Sequence, residues 1–131
     1  MEANKTKMEK LKIGIGTRDA EKLEALPVKI LGASIEMQKS GMKEIGDKVV
    51  FICKHPGREE SIKISATKYV KDNKLKTSGT WFMLDADGKI AKNSALAMFL
   101  KMFNAKSIED MTGKDVNTIM DERGFLAFKA Y

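Results

Sequence analysis

Cysteine, histidine, proline and arginine are all scarce in this chain. Cys53 is the only cysteine, so no internal disulfide can form, which fits a reducing compartment. His55 is the only histidine. A tetrahedral metal site of the usual kind needs about four Cys, His or carboxylate ligands, and no second cluster accompanies CKHPG, so neither a metal nor another cofactor is expected. Cys53 and His55 would share one face of a strand, yet no third residue is placed to orient a Cys-His nucleophile, and no catalytic residue is assigned. The early GIG lacks the third glycine of a dinucleotide fingerprint, because Asp19 stands at the matching position, and no Walker-type lysine loop follows a strand. The chain has no repeats, no low-complexity segment and no run of the roughly 20 apolar residues that a membrane helix requires. Its opening, MEANKTKMEKLK, has no apolar block after its charges and does not read as a secretory signal. The expectation is a cytoplasmic protein with no membrane partner.

What the chain has is lysine. It counts 24 Lys and Arg against 18 Asp and Glu, a net charge of +6, and only Arg18, Arg58 and Arg123 are arginines. The excess is concentrated: Lys54, Arg58, Lys63, Lys68, Lys71, Lys74 and Lys76 face only Glu59, Glu60 and Asp72 between positions 54 and 76. Such a basic segment points to a polyanionic partner, and lysine suits phosphates better than base edges. The length of 131 residues with 43% hydrophobic residues fits one domain with a real core.

Residues 1–26 are charged but nearly balanced and weakly periodic, with EKLEAL able to form a helical turn; they read as a partly ordered N-terminal arm. The domain is expected over 27–131. VKILGASIEMQ, with Leu31, Ala33, Ile35 and Met37 alternating, predicts the first strand, and KSGMKEIGD a turn region. Lys48 to His55 predicts the second strand, closed by Pro56-Gly57. SIKISATKYVK predicts the third, interrupted at KDNK, with TWFML a further extended run up to the turn at Asp85-Ala-Asp-Gly88. On a single strand Ile62, Ile64, Ala66 and Val70 share an apolar face while Lys63, Tyr69 and Lys71 share a polar one. SALAMFLKMF predicts the one main helix, capped by Asn93 or Ser94, with Leu96, Phe99, Leu100 and Phe103 as its core side. Ser107 to Asp110 resembles a capping box ended by Gly113, and two strands, 115–121 and 125–131, close the chain around the Glu122-Arg-Gly124 turn.

Three strands, a helix and two closing strands form the order of an OB-fold, a five-stranded β-barrel. Over residues 27–131 the chain resembles OB-fold single-stranded nucleic-acid-binding proteins of microbes and their viruses, carried by the order of VKILGASIEMQ, VVFICK, SIKISATKYVK, SALAMFLKMF and the ending MTGKDVNTIMDERGFLAFKAY. The resemblance implies non-catalytic binding of single-stranded DNA, or RNA, with little sequence preference, on the second and third strands and their loops. Its expected contacts are Lys54, Arg58, Lys63, Tyr69, Lys71, Lys74, Lys76 and Trp81. Trp81 and Phe82 would point to opposite faces, so one of them is the exposed ring. The competing expectation is a protein-interaction module that docks through the N-terminal arm or a sheet edge.

Overall fold

The structure, a computed structural model, describes Leu11 and residues 23–131; most of the expected arm, including GIG, lies outside the described residues. Strands β1 (Val28–Ser40) and β2 (Lys43–Lys54) form a long antiparallel hairpin. The chain reverses only at Gly41 and Met42, with Gly41 at φ +64. The rest of KSGMKEIGD is strand, because its irregularity is absorbed as a bulge: the register shifts between Gln38 and Lys39, near Gly46 at φ +137. A second shift between Ile30 and Gly32 overturns the expected alternation. Val28 and Ile30 fill the core, Leu31 turns outward, and Ile35 and Met37, about half exposed, lie past the core although they pair with Val49 and Asp47.

The expected third strand is two strands, β3 (Ile62–Ile64) and β4 (Ala66–Lys71). Ser65 belongs to neither; its carbonyl accepts the Thr80 N–H at 2.9 Å. KDNK is a tight turn into β5 (Lys74–Gly79), with Asp72 and Asn73 both at positive φ, 53 and 62, the pairing a two-residue hairpin of right-handed twist requires. TWFML makes only an isolated bridge at each end, Lys48 to Trp81 and Leu84 to Ile90. Asp85 Oδ1 accepts the Asp87 and Lys89 N–H groups and so builds the expected DADG turn.

Helix α1 (Ala95–Met102) follows the fifth strand, not the third, so the expected order is altered by the split of one strand and the addition of β5. Ser94 is its cap: the hydroxyl accepts the Ala97 N–H at 3.1 Å. A 3-10 turn (Glu109–Met111) comes next. Asp110 there accepts the Lys106 and Ser107 N–H groups, which holds its carboxyl below the ordinary value. The first closing strand breaks at Asn117: β6 (Asp115–Val116) pairs with β1, whereas β7 (Thr118–Met120) pairs with β8 (Leu126–Ala130).

The result is a mainly β molecule with one α-helix among the described residues. Two four-stranded sheets, β3-β2-β1-β6 and β5-β4-β8-β7, curl into a half-barrel. All neighbours are antiparallel except β4 and β8. The helix buries Leu96, Phe99 and Leu100 against the curled sheets, where Phe99 meets Phe51 of one sheet and Phe128 of the other.

Candidate nucleic-acid interface

The break at Ser65 decides where the expected contacts go. In β3 the even residue Ile64 is buried, but in β4 the odd residues Thr67 and Tyr69 are buried and Val70 is exposed. Tyr69, only 7% exposed, is therefore a core ring, and the polar face predicted for it does not exist as one surface. Lys71, Lys74 and Lys76 stay at the far end of the β4–β5 hairpin, Lys74 opposite Lys71 and Lys76 opposite Tyr69, away from Arg58 and Lys63. Lys54 serves the fold, its ammonium donating to the Arg58 and Glu59 carbonyls.

Two of the expected contacts, Arg58 and Lys63, do converge. They line an open cleft of about 870 Å³ together with Lys48, Arg123, Asp121 and Phe125. Ser65, Ala66 and Leu23 line it as well. Phe125 is the cleft's ring, 64% exposed, with the Arg123 guanidinium 5.6 Å from its centroid. It is held there by Asp121, a nearly buried carboxylate whose Oδ1 accepts the N–H groups of both Arg123 and Phe125 at 2.9 Å. Gly124, at φ +83, completes the turn. Glu36 lies 3.6 Å from Lys63 and Glu60 lies 3.8 Å from Arg58, both in exposed pairs of the kind worth about 0–1 kcal/mol and readily exchanged for another anion.

Trp81 borders this region through Lys48, whose ammonium lies 5.0 Å from the indole centroid. The ring rests beside Gly46 and Gly79 and stays half-buried, while Phe82 packs against the core. Trp81 is thus the surface ring of the pair.

Cys53 and His55 do not form a reactive pair. The Cys53 sulfur points at the Phe51 carbonyl at 3.6 Å. The buried imidazole accepts the Gly57 N–H on Nδ1 at 2.9 Å, which leaves the proton on Nε2 to donate to the Glu24 carbonyl at 2.7 Å. With the Thr118 hydroxyl donating to Leu26, this bond straps residues 24–26 to the domain. Among the described residues no group of three or more His, Cys, Asp or Glu side chains could hold a metal ion, and no helix is long and apolar enough to cross a membrane.

Sequence reasoning missed Phe125, Arg123 and Lys48. One signal was available: Arg58 and Arg123 are two of only three arginines. The pairing that brings the 121–125 turn beside β3 leaves no local trace. Compared with known proteins, the chain matches no family model, no curated protein and no solved structure.

Proposed function

We propose that this protein is a non-catalytic binder of single-stranded nucleic acid, DNA in the first instance, with little sequence preference. The observation that carries the reading is the cleft, whose lining combines Lys48, Arg58, Lys63 and Arg123 with an exposed Phe125. Guanidinium and ammonium groups neutralise phosphates, and a fixed ring stacks any base, so the pairing of the two selects for unpaired strands over order of bases. An OB-like barrel is the architecture that fits: β1 pairs antiparallel with β6, β4 pairs parallel with β8, and β7 and β8 form the closing hairpin. On this reading β5 is an insertion before the helix.

Titration with single-stranded and duplex oligonucleotides at several salt concentrations tests the proposal. Four phosphate contacts give a log-log slope of about −3 on a single strand, and each cleft cation replaced by alanine lowers it by about 0.7. Phe125→Ala is expected to weaken single-strand binding by roughly 1–3 kcal/mol and to leave the fold intact. Affinity that does not change with salt overturns the reading. The second reading, a protein-interaction module, draws on β1: it is bonded to β6 only at its start, and its outer part carries half-exposed Leu31, Ile35 and Met37 along a sheet edge open to strand addition.

A further inference from the structure

The parities of β4 and β8 bring together a second group of side chains that the cleft does not account for. Phe128 and Ala130 face the core, so Phe125, Ala127, Lys129 and Tyr131 share the other parity; of these Phe125 and Tyr131 are exposed, Lys129 is half-buried and Ala127 is fully covered. On the neighbouring strand Thr67 and Tyr69 face the core, which puts Ala66, Lys68 and Val70 outward. Because β4 and β8 are parallel, with Lys68 beside Lys129 and Tyr69 beside Ala130, these two rows lie side by side, and the accessible path between their ends runs over Ala66 and the two lysines. Ala66 belongs to both places, since it also lines the cleft.

Along this path the chemistry repeats. Phe125 stands at one end, half-buried Ala66 leads on from it beside the covered Ala127, half-buried Lys68 and Lys129 come next, and Tyr131 stands at the other end, 38% exposed with the Lys129 ammonium 5.1 Å from its centroid. The two lysines sit on adjacent strands, about 5 Å apart at their backbones, a placement that is unfavourable for like charges. Neither has a carboxylate partner among the described residues. An anion supplied from outside is the simplest counter-charge for such a pair, and a ring beyond it gives the next base a platform. From Phe125 to Tyr131 is six residues, or about 20 Å of strand.

We infer that the bound single strand does not end in the cleft but continues over Ala66 onto Lys68 and Lys129, with a second stacking station at Tyr131. The inference rests on the nucleic-acid reading of the cleft and extends the footprint beyond it. Homopolymeric oligonucleotides of stepwise length over the range of roughly 4 to 16 nucleotides separate the two stations. Phe125→Ala is expected to weaken every length. Tyr131→Ala, and separately the double change Lys68→Ala with Lys129→Ala, are expected to weaken the long oligonucleotides about 5- to 100-fold and to leave the shortest ones, held at Phe125, unchanged. These positions are outward-facing, and circular dichroism establishes that each variant is folded. If both variants bind every length as tightly as the parent while Phe125→Ala still weakens binding, the track is wrong and the cleft stands. If the parent binds no single strand at all, both fail together.

Discussion

Cys53 shows how an apparently chemical residue becomes a structural one. Its side chain is fully buried among Ile30, Phe51 and Ile64, and burial pushes the thiol up from 9.0 to about 12, because a thiolate there would lose its hydration. The folded state thus binds the proton more tightly than the unfolded chain. This contribution to stability is fully present below the unfolded value and is lost as pH rises from about 9 towards 12, at up to about 1.4 kcal/mol per pH unit. Urea unfolding at pH 8 and pH 10 measures it: the parent is expected to lose more stability over that interval than Cys53→Ala does. Equal losses would mean that the thiol is not shielded. Tyr69 teaches the companion lesson. Its burial was illegible because one unpaired residue, Ser65, inverts the parity of everything after it, and a one-residue slip moves every side chain to the other face.

Among the elements, those with strong local signals could be read from the sequence. The helix was legible because Leu96, Phe99 and Leu100 recur at helical spacing behind a serine cap, and the turns at Asp85 and Glu122 were legible from their Asp and Gly residues. Bulges and sheet edges were not, since a register shift costs the sequence only a glycine. Gly79 illustrates the point. A β-carbon there would come within 2.5 Å of Lys48 Cε and 3.0 Å of Trp81 Nε1, so the bare backbone of β5 is what lets the lysine lie across the indole. Gly79→Ala is expected to push the flexible lysine end aside at a cost of about 1 kcal/mol or less and to uncover the ring. Trp81 is the only tryptophan, so its emission reports the change directly. A red shift is expected; an unaltered spectrum would show that Lys48 does not cover it.

For the molecule as a whole, the apolar pattern identified what is buried but not what it is buried against. Phe51, Phe99 and Phe128 come from β2, α1 and β8, elements far apart in the chain, and their ring centroids lie 4.6 to 5.4 Å from one another. Phe99 is stacked on Phe128 and edge-on to Phe51, and Phe51 and Phe128 also meet edge-on, so the three rings together join the helix and the two sheets in one core. The candidate site depends on that tie at a distance: the cleft forms where β3 of one sheet meets the 121–125 turn of the other. Phe99→Ala removes two of the three ring contacts and leaves a cavity, with an expected loss of about 3–5 kcal/mol, a large share of the roughly 5–15 kcal/mol that holds a domain of this kind. With one shared core, both sheets should unfold in a single transition. Thermal melts followed by Trp81 fluorescence, which reports the β2–β5 margin, and by far-ultraviolet circular dichroism are therefore expected to coincide in the parent and to shift down together in Phe99→Ala. Separate midpoints for the two probes would mean that each sheet has its own stability and that the helix does not bind them into one unit.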